Sequence, residues 1–126
     1  MPLVEFAMKT FPQKYTGQLT WLYSENSTFE QRSVPHAVLP SANVLAFDCD
    51  CRDSKGPYLY TVKLQRIAGD RFEGTFEAGK GTERHSTGSI TAHVYESLEG
   101  ILLRGQWLEG SYIIEYFAEL TSDQAP

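Results

Sequence analysis

The chain has only two cysteines in 126 residues, no basic cluster, no apolar run near bilayer length and no helical repeat of hydrophobicity that lasts three turns. Each lack excludes a class. Without an apolar stretch approaching ~20 residues there is no candidate membrane-spanning helix. With 16 acidic against 11 basic residues and no stripe of Lys or Arg interleaved with aromatics, the field opposes phosphate backbones, so nucleic acid is not an expected partner. Nor is a membrane surface. The N-terminal MPLVEFAMKTF lacks a basic segment followed by an apolar one, and a cytoplasmic protein is the expectation. No Gly-x-Ser-x-Gly, HExxH, phosphate loop or dinucleotide fingerprint occurs, and no cofactor is implied.

Cys49 and Cys51 lie two apart, which on a strand puts both on one face with Cα atoms ~6.5 to 7 Å apart, at or beyond the reach of a disulfide. They read as buried free thiols of a reducing compartment. Alternation sends Asp48 and Asp50 to the opposite face, so these residues do not converge on one ion and no metal site is expected.

What the chain does have is period-two alternation, recurring about every ten residues, with a 13% aromatic content and ten glycines that suit short strands and turns. The expected class is all-β, one domain over residues 1–120 followed by a tail at 121–126. Leu3 to Met8 is a candidate first strand. Gly17 to Tyr23 alternates with Leu19, Trp21 and Tyr23 on one face. Pro35 and Pro40 allow only a short edge strand at Phe29 to Val34, since proline cannot donate to a ladder.

From Asn43 onward the registers test one another. A turn at Asp53-Ser-Lys-Gly56 sets Cys51 against Tyr58, Cys49 against Tyr60 and Phe47 against Val62, so both apolar faces coincide. A three-residue loop at Ile67-Ala-Gly69 pairs Leu64 with Phe72 and Tyr60 with Phe76. A turn at Ser97 to Gly100 sets Ile90 against Trp107 and Val94 against Leu103. A tight turn at Glu109-Gly110 then sets Trp107 against Tyr112 and Leu103 against Tyr116. On the outer side the same strands give a charged row His93, Arg104, Glu115 beside an apolar row Tyr95, Leu102, Phe117, the latter a candidate dimer interface.

An antiparallel meander of 8 to 9 such strands covers its apolar face and removes its edges by closing into an up-and-down β-barrel. Gly17, Gly74 and Gly105 stand in mid-strand, where sharp coiling or close backbone approach would need no side chain. With Phe72-Glu-Gly74-Thr-Phe76 and Gly105-Gln-Trp107-Leu108, the chain from Gly17 to Leu120 resembles the calycin barrels, meaning lipocalins, fatty-acid-binding proteins and avidins. It departs from the lipocalin signature, because three residues separate Gly17 and Trp21 where that family has one.

The inward positions read from Leu45 to Leu120 carry no Asp, Glu, Lys, Arg or His, which favours binding over catalysis. Trp21, Tyr23, Tyr60, Phe76, Trp107, Tyr112 and Tyr116 are the candidate ligand-binding rings, for a small, mostly apolar or aromatic molecule. The longest polar connection, Ala78 to Thr87, offers Lys80, Glu83, Arg84 and His85 as a mouth loop. Three functions stay open: non-catalytic ligand binding in the lumen, an interaction or homodimerisation module with a packed barrel, and a small barrel enzyme of hydrolase or isomerase type using the mouth loop.

Overall fold

In the computed structural model eight antiparallel strands follow one another in chain order around a closed barrel, with β1 (Gln13–Tyr23) paired to both β2 and β8. The others are β2 (Thr28–Ser41), β3 (Val44–Asp53), β4 (Gly56–Ala68), β5 (Arg71–Ala78), β6 (Ser86–Glu96), β7 (Gly100–Glu109) and β8 (Tyr112–Ser122). The described residues are 10–79, 81–82 and 85–123, so the candidate strand at Leu3 to Met8 lies outside them. β8 continues through Thr121 and Ser122, which alternation alone had assigned to a tail.

Closure follows from alternation. Leu19, Trp21, Val34, Leu45, Phe47, Val62, Leu64, Phe72, Phe76, Ile90, Leu103 and Trp107 all point inward and are nearly or wholly buried. A barrel of eight strands has an interior only wide enough for side chains to fill. The mid-strand glycines are where it coils most tightly: a Cβ on Gly74 would stand 1.7 Å from the Lys63 carbonyl oxygen, and one on Gly17 1.9 Å from that of Glu119.

β2 corrects the expectation of a short edge strand. It runs 14 residues through both prolines, because each sits in a bulge where its missing N–H costs no ladder bond. Pro35 and His36 oppose the single residue Thr16 of β1, and Leu39 and Pro40 oppose the single residue Leu45 of β3.

The β3–β4 register is the one expected, from Leu45 opposite Leu64 to Asp53 opposite Gly56, and so are Ile90 opposite Trp107 and Val94 opposite Leu103. Two other hairpins are shifted by two residues. Leu64 faces Gly74 and Val62 faces Phe76, with a bulge at Ile67 and the turn at Gly69-Asp70. Trp107 faces Ile114 and Gly105 faces Tyr116, with the turn at Gly110-Ser111. A shift of two leaves every side chain on its face, so alternation could not detect it. It extends each strand by one inward position, and those positions are Arg66 and Glu109.

The outer rows change accordingly. Arg104 still faces His93 but meets Phe117 rather than Glu115, and Leu102 meets Glu119 rather than Phe117. His93 is instead bonded to Asp70, Nδ1 to Oδ1 at 3.1 Å.

Candidate functional site

The two ends of the barrel are finished differently. At the end holding the Gly69-Asp70 turn, the inward Arg66 guanidinium lies 4.7 Å over the Phe72 ring and donates to Asn43 Oδ1 (3.1 Å), the Ala42 carbonyl (2.8 Å) and the Gly69 carbonyl. Its hydrogen bonds all go to turns of the same barrel, which makes it a clasp. The opposite end, the mouth, carries several inward polar groups at the strand termini: Tyr23, Glu30, Arg32, Cys51, Tyr58, Tyr60, Ser86 and Glu109.

Below the mouth the lumen is filled by rings. Trp107 stacks on Phe76 at 4.4 Å between centroids and meets Tyr60, Trp21 and Tyr116 edge-on at 5.2, 5.3 and 5.8 Å. Edge-to-face contacts at these separations are the favoured geometry for aromatic quadrupoles. Of the seven rings expected to bind a ligand, these five form one packed cluster. Tyr23 is half-buried at the rim, and Tyr112, brought by the register shift to a strand start opposite Glu109, is 65% exposed.

Glu109 ties the top of this cluster. Its Oε1 accepts from Trp107 Nε1 (3.1 Å) and Tyr60 Oη (3.1 Å), and its Oε2 accepts from Ser86 Oγ (3.0 Å) and again from Tyr60 (3.2 Å). Three neutral donors from three strands thus converge on one carboxylate. Burial, the Glu109 charge and this hydrogen bond push the Tyr60 phenol well above its ordinary pKa, so it stays a donor. Burial alone raises the pKa of Tyr116, whose hydroxyl donates to the Thr91 carbonyl at 3.0 Å. Burial and a hydrogen bond to Glu30 do the same for Tyr23.

The expectation of a charge-free interior is therefore overturned at both ends, by Arg66 and Glu109. The signal was present in the sequence: a buried tyrosine or tryptophan needs a partner for its polar handle. The nearest acceptor of matching parity to Trp107 is Glu109. One handle still lacks one, since the Trp21 Nε1 is buried with no acceptor among the described residues.

The wall beside the mouth is incomplete. The ladder between β2 and β3 ends at His36–Asp48, just past the Pro35 bulge, although β2 continues to Thr28 and β3 to Asp53. Above that point β2 stays paired with β1 and β3 with β4. Beside this gap lies an open cleft of about 680 Å³ lined by Arg32 of β2, Asp50, Cys51 and Arg52 of β3, and Pro57, Tyr58 and Leu59 of β4. Arg32 is bonded to Glu30 at 2.6 Å.

Of the mouth loop, Lys80, Glu83 and Arg84 lie outside the described residues, and His85 forms an exposed pair with Glu77, Nε2 to Oε2 at 2.6 Å. Leu102 and Phe117 share a shallow outer groove with Arg104 and Glu119, whereas Tyr95 stacks on His93 at 6.4 Å. No group of three or more His, Cys, Asp or Glu that could hold a metal ion occurs among the described residues. Comparison with known protein families, curated proteins and solved structures finds no match for the chain.

Proposed function

We propose that the protein is a non-catalytic binding barrel that takes a small, mostly apolar or aromatic molecule at its mouth, in the cleft between β2 and β3. The observation that carries this is the parted seam: a cleft of about 680 Å³, within the usual range for small-ligand sites, opening beside half-buried tyrosines. Tyr58, Pro57 and Leu59 supply apolar contact, and Arg32, Asp50 and Arg52 supply polar anchors at its edge. Trp21 and Trp107 sit beneath the same end through Tyr60, which touches both rings and Tyr58. The packed cluster leaves the mouth, rather than the mid-lumen, as the place for a guest. The resemblance of the sequence pattern to calycin barrels, a size of barrel that can hold one small ligand, supports the same reading by analogy of fold alone.

A fluorescence titration tests it. A neutral aromatic probe such as N-phenyl-1-naphthylamine is expected to quench tryptophan emission saturably in the wild type and to bind at least tenfold more weakly to Tyr58→Ala. Absence of saturable binding in native protein, or unchanged binding by the variant, contradicts the proposal.

A docking module is favoured by a separate observation. Leu22 and Phe29, cross-strand partners on the outer rim of the mouth, are 40% and 65% exposed, and Ile113 near them is 64% exposed. A partner covering that rim would lower their exposure; sedimentation of the wild type against Phe29→Ser reports whether a second copy is that partner.

A further inference from the structure

The fold uses its two free cysteines differently. Both stand on the inward face of β3, paired with Tyr60 and Tyr58 of β4, but Cys49 is wholly buried while Cys51, 7% exposed, forms part of the cleft wall. Because the β2–β3 ladder stops at His36–Asp48, the β2 flank of Cys51 is a cleft and not a paired strand. Arg32 lines that same cleft. Cys51 and a guanidinium therefore line one open cleft.

We propose that Cys51 is a peroxide-reactive thiol, oxidised to a sulfenic acid in the β2–β3 cleft, with Arg32 and Cys49 as its activating neighbours. The attacking species is a thiolate, which cationic neighbours and hydrogen-bond donors stabilise. The Cys49 S–H donated to Cys51 and the Arg32 charge hold the Cys51 thiol below its ordinary pKa, against burial and the Glu30 charge. The same hydrogen bond, with burial and the Cys51 charge, pushes Cys49 upward and keeps it a donor. Cys51, the sulfur-bearing residue on the cleft wall, is thus the nucleophile, and the wholly buried Cys49 is its neighbour.

In the step itself the Cys51 thiolate attacks one oxygen of a hydroperoxide. An S–O bond forms as the O–O bond breaks, and the leaving hydroxide or alkoxide takes a proton from solvent and departs as water or alcohol. Sulfur loses two electrons and the peroxide gains two. Cys49 does not then close a disulfide, because same-face strand neighbours stand ~6.5 to 7 Å apart at Cα, at the outer limit for an S–S bond. The β3–β4 ladder holds both in place. Oxidation stops at the sulfenic acid, which a trapping nucleophile can capture.

Hydrogen peroxide with dimedone, followed by intact mass and peptide mapping, tests this without any ligand and so independently of the binding proposal. One adduct is expected, on Cys51, absent from Cys51→Ser and slower to form in Cys49→Ser. Arg32→Gln is expected to slow it about three- to tenfold. The thiolate fraction falls tenfold per pKa unit, and the greater nucleophilicity of a more basic sulfur recovers part of the loss. In the wild type, the pH profile of alkylation by iodoacetamide is expected to have its midpoint below the ~8.5 of a free cysteine, which requires no variant to fold. No adduct in native protein, labelling at Cys49 first, a midpoint at or above ~8.5, or an unchanged rate in folded Arg32→Gln overturns the proposal.

Discussion

Replacing Glu109 by Ala and by Gln separates the structural part of the mouth from its charge. In the Ala variant the Trp107 Nε1, on a residue 1% exposed, loses its acceptor, at a cost of ~2 kcal/mol for an orphaned buried donor. Tyr60 and Ser86 are partly exposed, so water replaces their bonds and each loses only about 0.5 kcal/mol. The sum is about 3 kcal/mol. With a urea dependence of ~1.5 kcal/mol per M for a chain of this size, the unfolding midpoint falls by about 2 M. Glutamine has the shape to keep the network: its Oε1 accepts from Trp107 and Tyr60, and its amide donates to Ser86 Oγ. It loses only the charge assistance, about 1 kcal/mol. Urea unfolding followed by tryptophan emission and far-ultraviolet circular dichroism checks the order, wild type above Gln above Ala. An Ala variant as stable as the wild type refutes the network, and a Gln variant as weak as Ala shows that charge, not acceptor geometry, is what the three donors require.

Two further perturbations test the wall and the buried phenols. Gly74→Ala drives a Cβ into the Lys63 carbonyl and should cost more than ~3 kcal/mol or prevent folding, whereas Gly110→Ala, at φ 61° with open space around it, should cost only ~1 kcal/mol; thermal melts of the two rank them, and equal losses would contradict the close approach of β4 and β5. Alkaline stability follows from the tyrosines: their folded pKa values lie above the unfolded ~10, so the folded state stays protonated while the unfolded state ionises. Their contribution is complete below pH ~10 and is lost above it, with Tyr116 alone giving a slope of ~1.4 kcal/mol per pH unit and the more exposed Tyr60 adding less. Urea midpoints measured between pH 9 and 11.5 show this, and a flat profile contradicts it.

The fold was legible wherever a turn and two apolar faces had to agree. Asp53 and Gly56 fixed one hairpin outright, since a turn chemistry and a parity rule pointed to the same pairing. Where the turn residues admitted two loops, parity was right and register wrong by two, as at Gly69 and Gly110, because opposite faces repeat every second residue. That shift had a functional consequence: it hid Glu109 in a turn and Arg66 beside one, when they are inward strand ends. β2 was unreadable for another reason, in that proline forbids a regular ladder but not a bulged one, and a bulge breaks the alternation by which a strand is read. The cleft depends on the same bulge at Pro35, so the candidate site was hidden with it. The aromatic cluster was visible, while its packing was not, since side-chain lists give no distances.

Nuclear magnetic resonance mapping of a bound aromatic probe tests the central claim most directly. Saturating the protein with N-phenyl-1-naphthylamine should move the backbone amides of Arg32, Cys51, Arg52 and Tyr58 and the indole resonances of Trp21 and Trp107, while those of Leu45, Arg66 and Phe72 at the clasped end stay in place. Shifts concentrated at the clasped end, or none that saturate, would contradict a ligand site at the mouth.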